Sequence, residues 1–287
     1  MTSPSSILFD PNTLPQDLRA PIEALLRGDN LRLPILSGSI SKLMATCNQD
    51  SPEMEEIAKL VSMDQSLAAH VLRLSNSAAY APVNELVTID DAVRRLGIRA
   101  IGDMAIGHMV LNGLADREDP VLKSLWRRAA VCGLYAYRVG SAIGMRGKAS
   151  LLPGLLMDVG RPLALGFLKD TEKLIGQEID SDTKLFLADQ MHTELGLKLV
   201  EEWSLPKEIA GAIRYHDCYD RAEEFKTEAM IANLASVLTT WALQPEEIEQ
   251  ESLMELQIVG DLELDEWHMS QLMANTEEVL RTAAAFE

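Results

Sequence analysis

Five residues offer side chains suited to chemistry, and their surroundings make them unusual. Asp158 is a carboxylate set in the otherwise apolar run Leu155-Leu156-Met157-Asp158-Val159-Gly160. His192 falls in helical line with Leu195, Gly196, Leu199 and Trp203, and His216 with Ile209, Ala212 and Ile213. Both imidazoles therefore face the apolar side of their helices. Asp217 follows His216 directly. Imidazole and carboxylate ligands suit Mn, Fe, Ni or Mg, and such an ion generates a hydroxide nucleophile at neutral pH. Arg128 is the fifth. It cannot lose its proton or coordinate a cation, but it can pair with a carboxylate or a phosphate.

Other chemistries lack their signatures. No GxxxxGK[ST] or GxGxxG phrase occurs, and no G-x-S-x-G elbow. Gly140-Ser141-Ala142-Ile143-Gly144 reads as a helix end and turn. Cys132 sits in the middle of an apolar stripe and reads as core, not nucleophile. Asn76-Ser77 reads as a helix end that bonds backbone groups. Met104, Met109, Met145 and Met157 read as core filler, with a Met-rich groove for a partner as the minority alternative.

The elements that must position these residues are helical. The 287 residues are 47% hydrophobic and 24% charged but only 5% aromatic, with 13 Met. Such a balance favours helices over strands. Thr88-Ile89-Asp90-Asp91 forms a capping box with Asp91 in the usual Glu position, and Leu96-Gly97 ends that helix. Ser51-Pro52 predicts an N-cap followed by Pro at the first helical position. Apolar residues at 122, 125, 129, 132, 136 and 139 make one stripe along a helix over 121–143. Arg128 lies about 60° from the Leu125 row and borders that stripe. Further helices are predicted at 66–79, 98–114, 149–158, 162–167, 183–203, 206–216, 226–243 and 266–285. A composition break at 115–120 divides the chain. The segments are an extension at 1–25, helical halves at 26–118 and 119–225, and a C-terminal extension at 226–287.

Charge and cysteine usage narrow the setting. A formal net charge of −18 disfavours nucleic acid as a partner. The acidic stretch after Gln244, with Arg281 as its lone basic residue, reads as a solvated helical surface. Cys47, Cys132 and Cys218 are far apart, without a CxxC, as in a reduced cytosolic protein. No signal peptide or membrane span is expected, and the predicted location is cytoplasmic.

Several phrases in order resemble the HDOD family, the HD-related output domain of bacterial signalling proteins. They are Leu33-Pro34-Ile35-Leu36, Met63-Asp64-Gln65-Ser66-Leu67, Val71-Leu72-Arg73-Leu74-Ser75-Asn76-Ser77-Ala78 and Ala92-Val93-Arg94-Arg95-Leu96-Gly97. Leu125-Trp126-Arg127-Arg128, the run at 155–160 and Trp203-Ser204-Leu205-Pro206 leading to His216 complete the set. The match covers roughly residues 25–225 and is weaker over 226–287. It implies an all-α, HD-domain-like helical bundle with an N-terminal helical subdomain, and a role in signalling.

The resemblance also locates an altered metal site. HD phosphohydrolases hold their metal with an early His, a His-Asp doublet and a late Asp. The corresponding positions here are Arg128, Met157 with Asp158, and Ser236, so only Asp158 survives. A thioether suits hard cations poorly. Arg128 could stand in for the metal's charge and pair with Asp158, or it could reach solvent while Asp158 caps a helix. Some relatives use histidines in the later regions as extra ligands, so Asp158, His192, His216 and Asp217 could form a reduced site. The reading taken is that both histidines are structural and that no metal or other cofactor is expected. The implied function is a non-catalytic signal-transduction module, a pseudoenzyme that binds a signalling partner protein or a small ligand. The alternative is a metal-dependent phosphohydrolase acting on a nucleotide or cyclic dinucleotide. A nucleotide held without hydrolysis, with Arg128 and Arg161 on its phosphates, is a third reading.

Overall fold

A computed structural model describes residues 18–20, 22–23, 33–34, 36–49, 51–77, 85–113, 119–145 and 150–284. Among the described residues every regular element is helical, as the composition predicts, and none is a strand. None of these helices is long and apolar enough to cross a membrane.

The N-terminal half contains α1 (Gly38–Cys47), α2 (Met54–Ser62), α3 (Gln65–Ser75), α4 (Ile89–Leu96) and α5 (Ile98–Gly113). Local signals fix most of the boundaries. Asp64 caps α3 by accepting from Leu67 N at 3.0 Å. Asn76 ends α3 and stitches it to the following chain: Nδ2 donates to Leu72 O and Leu86 O, and Oδ1 accepts from Leu86 N at 2.7 Å. Thr88 caps α4 as its box predicts, accepting from Asp91 N at 3.1 Å. The Ser51-Pro52 cap does not form. Glu53 stays extended at φ −85°, ψ 123°, so α2 starts at Met54 with no side-chain cap.

The second half is built on α6 (Pro120–Ala142), capped by Asp119, whose side chain accepts from Val121 N and Leu122 N. The short α7 (Leu152–Leu156) and α11 (Lys226–Leu243) pack on it. Gly154 lets α7 approach closely, because a Cβ there would strike the Cys132 carbonyl of α6. α8 (Gly160–Ile175) and α9 (Ser181–Glu202) form an antiparallel pair, and α10 (Lys207–Tyr215) leads back to α11. After α11 come α12 (Gln257–Asp261), α13 (Glu266–Ala274) and α14 (Thr276–Ala284). The expected single helix over 266–285 is thus two. Asn275 Nδ2 donates to Gln271 O and Thr276 Oγ1 to Met273 O, and these side-chain bonds close α13.

One contiguous apolar cluster runs from Ile40 to Ala283 and joins both halves with the C-terminal helices. A second, smaller cluster lies on α8 and α9, where helical residues Leu18 and Ile22 cover Leu168, Leu187 and Leu195. Trp203, at the end of α9, donates its indole N–H to Pro34 O at 2.7 Å. Residues 115–118 of the boundary expected at 115–120 and most of the extension at 1–25 lie outside the described residues, and α6 begins at the far edge of that boundary.

Candidate functional site

The site forms where α7 turns into α8. Asp158 occupies that turn, and its carbonyl accepts from Arg161 N at 2.9 Å. Gly160 is what allows the turn to meet α9: a Cβ there would overlap the carbonyl oxygen of His192. No other residue type permits this backbone approach without displacing one helix. His192 comes from the buried face of α9. His216 terminates α10, and Asn233 of α11 holds its carbonyl through Nδ2 at 2.5 Å.

Both imidazoles are oriented by the same device. His192 Nδ1 bonds to the Asp189 carbonyl, and His216 Nδ1 to the Ile213 carbonyl at 2.9 Å. A carbonyl only accepts, so each Nδ1 carries a proton and each ring turns its Nε2 inward. Both Nε2 atoms approach the same oxygen, Asp158 Oδ1, at 3.8 Å from His192 and 3.6 Å from His216. Asp217 Oδ2 lies 3.3 Å from His216 Nε2 on the solvent side. The rings themselves meet edge to face, with centroids 5.3 Å apart. Burial lowers the His192 pKa, against the raising effect of the Asp189 carbonyl and Asp158, so the ring is held in its neutral, ligating form.

The counter-charge on Asp158 comes from Arg161. Its Nε lies 3.1 Å from Asp158 Oδ1, and its Nη2 lies 2.8 Å from Asp189 Oδ1. The Arg128–Asp158 pair, one of the two alternatives open for Arg128, does not form. Arg128 donates to Ser236 Oγ at 3.0 Å and to Thr240 Oγ1 at 3.1 Å on α11. Arg161 wins because it sits one helical turn from Asp158 and gains a second carboxylate.

The remaining expected site residues are also accounted for. Ser236 on α11 accepts from Arg128 on α6, so these two expected site residues bond to each other. Met157 is 1% exposed, and the Cys132 thiol lies 3.7 Å from its sulfur. Burial pushes the Cys132 thiol up to about 12, which leaves it inert as a nucleophile. The crevice that these side chains line has room for little more than one water.

The structure therefore brings Asp158, His192 and His216 together, with Asp217 beside His216 alone, while Arg128 and Met157 meet Asp158 only across the crevice and bond elsewhere. The donor set suits a divalent transition metal: three ligand atoms lie within 4.8 Å of one another. Among the described side chains, Asp158 Oδ1, His216 Nε2 and Arg161 Nε are buried without a hydrogen bond, and they are mutual neighbours. Sequence reasoning missed Asp189, although it lies one turn before His192, as Arg161 lies one turn after Asp158.

Comparison with known proteins agrees with this framework. The HDOD domain profile matches residues 33–219. An uncharacterised protein of Treponema pallidum (strain Nichols) is 26% identical over 203 residues, covering 68% of this chain and 39% of its own length. This chain thus spans less than half of that relative. Two solved structures share the fold. A candidate metal-dependent phosphohydrolase from Shewanella amazonensis SB2B superposes with a TM-score of 0.73 at 15% identity, covering 93% of this chain and 98% of that one. An HDOD domain protein of unknown function from Geobacter sulfurreducens superposes at 0.68 with 20% identity, covering 93% and 99%. With the profile spanning well over half its length, this chain belongs to the HDOD domain family.

Proposed function

We propose that this protein is a non-catalytic signal-transduction module that acts by binding a partner protein or a small ligand. One observation carries the reading. Two positions that would hold metal in a hydrolase, Arg128 and Ser236, are bonded to each other, and a third, Met157, is packed under Cys132. A metal-hydroxide mechanism needs an open coordination position beside the substrate. Here that space is filled by side chains that satisfy one another. The nucleotide-binding reading loses support for a related reason, because Arg128 donates to Thr240 and Ser236 and Arg161 is ion-paired with Asp158 and Asp189.

A panel of phosphodiesters, cyclic dinucleotides and nucleotides, incubated with Mn, Ni, Zn or Mg, tests this directly. The expected result is no turnover above the metal blank. The metal-dependent phosphohydrolase remains the second reading, favoured by the convergence of Asp158, His192 and His216. Turnover that Asp158→Ala abolishes would establish it and sink the first.

A further inference from the structure

The surviving half of the site carries an inference about what Arg161 does there. Asp158 Oδ1 is the shared target of three groups: His192 Nε2, His216 Nε2 and Arg161 Nε. Three of these four atoms make no hydrogen bond, although all three are buried. His192 Nε2 has only a 3.3 Å contact with Thr193 Oγ1. Leaving buried polar atoms unmet is costly, and native proteins rarely leave several together. A cluster of this kind marks a place where something else can bind.

The chemistry of the cluster says what. Beside the Arg161 donor it holds two imidazole nitrogens and one carboxylate oxygen, all able to ligate a metal and converging from three elements. Tetrahedral ligands at about 2.1 Å from a zinc ion stand about 3.4 Å apart. The observed 3.6 and 3.8 Å separations are within a few tenths of an ångström of that. Both Nδ1–H groups are already anchored to carbonyls, the arrangement that fixes a ligating histidine. The exposed Asp217 lies 3.3 Å from His216 Nε2 but outside the group of three whose ligand atoms lie within 4.8 Å of one another. Imidazole in the majority selects Co, Ni or Zn over Mg or Ca.

Arg161 is the obstacle. A guanidinium 3.1 Å from Asp158 Oδ1 and a divalent ion on the same oxygen repel each other strongly. The side chain nevertheless has a second anchor, Asp189 Oδ1 at 2.8 Å, on the outer side of the site. Releasing Asp158 therefore costs Arg161 only one of its two carboxylates.

We propose, against the sequence expectation of no cofactor, that Asp158, His192 and His216 bind one divalent transition-metal ion and that Arg161 competes with it for Asp158. In this arrangement Asp189 receives the displaced guanidinium. The site then has two states, an internal ion pair and a metal complex, and the ion concentration selects between them. This stands apart from the regulatory reading, which turnover decides; ion uptake decides this one.

Metal-stripped full-length protein titrated with Co²⁺ tests it, with the visible Co²⁺ absorption reporting coordination by nitrogen. Calorimetry with Zn²⁺ and Ni²⁺ gives the affinities. One equivalent per chain is expected, lost in His216→Ala; His216→Gln serves if the alanine variant fails to fold. Arg161→Gln should bind about ten-fold more tightly, within the range typical of coupled sites. Asp189→Asn should bind several-fold more weakly, since Arg161 then has Asp158 as its only carboxylate. Absence of uptake by both the native chain and Arg161→Gln overturns the site. Uptake with equal affinity in the native chain and Arg161→Gln overturns the competition.

Discussion

The two sides of the cleft beside α7 satisfy their polar groups in different ways. On the α6–α11 side, Arg128 is bonded to Ser236 and Thr240, and Met157 lies against Cys132. Each of these side chains has a partner there. On the α8–α9–α10 side, Asp158 is shared among one guanidinium and two imidazoles, and buried atoms are left over. The difference teaches that neighbouring polar groups in one cleft can be settled to different degrees: on one side each named side chain has a partner, and on the other buried atoms are left without a hydrogen bond.

The strongest way to break this comparison is to remove what holds the open side in place. Gly160→Ala puts a Cβ into the His192 carbonyl, and a loss of about 3 kcal/mol is expected by urea unfolding. A loss within error of zero would mean that the turn carrying Asp158 is free to shift, and the distances to His192 would lose their force.

Asp103 supplies the contrast to Asp158. It is a second carboxylate, 7% exposed on α5, whose burial pushes its pKa up to about 7 against the opposing pull of Ser150 and Arg99. An unfolded Asp releases its proton near 3.9. Between about pH 4 and 7 the native state therefore binds more protons, so stability falls as pH rises and levels off above about 7. Asp103→Asn should remove that slope and gain on the order of 2 kcal/mol at pH 8, read from denaturant midpoints across pH. A slope unchanged in Asp103→Asn would assign the pH dependence to another group.

The closed side should give way by less. Arg128→Ala strips two hydrogen bonds from the α6–α11 contact, and a loss of about 1–2 kcal/mol is expected. Smallest of all is Arg161→Gln. Its side chain is 32% exposed, and pairs of that kind contribute under about 1 kcal/mol. A larger loss at Arg161 than at Arg128, measured in the same buffer, would reverse the assignment of which side is the structural joint.

Much of this was legible in the chain. Helical spacing placed both histidines on buried faces, and their 7% and 3% exposures agree. The ends of α3, α4 and α6 follow from Asp64, Asn76, Thr88 and Asp119, because caps act over three or four residues. Partner choice across helices was less accessible. The Arg128–Asp158 alternative failed because helix periodicity gives the face of Arg128, not the rotation and offset of α11 against α6. Arg161 and Asp189 stand 28 positions apart, and only the antiparallel packing of α8 on α9 makes them neighbours. Gly160 looked like a motif letter; its reason, a backbone meeting the His192 carbonyl, exists only once both helices are placed.

Trp203 gives α9 a mechanical meaning. His192 and Trp203 lie on one unbroken helix, about three turns or roughly 16 Å apart. One end of this rod stands in the ligand cluster, and the other is bolted through an indole N–H to Pro34, at the start of the N-terminal half. A rigid rod pinned at both ends cannot rotate or slide at His192 without tugging on Pro34, 169 residues earlier in the chain. The N-terminal half is thus tied to the surroundings of Asp158 along the length of α9.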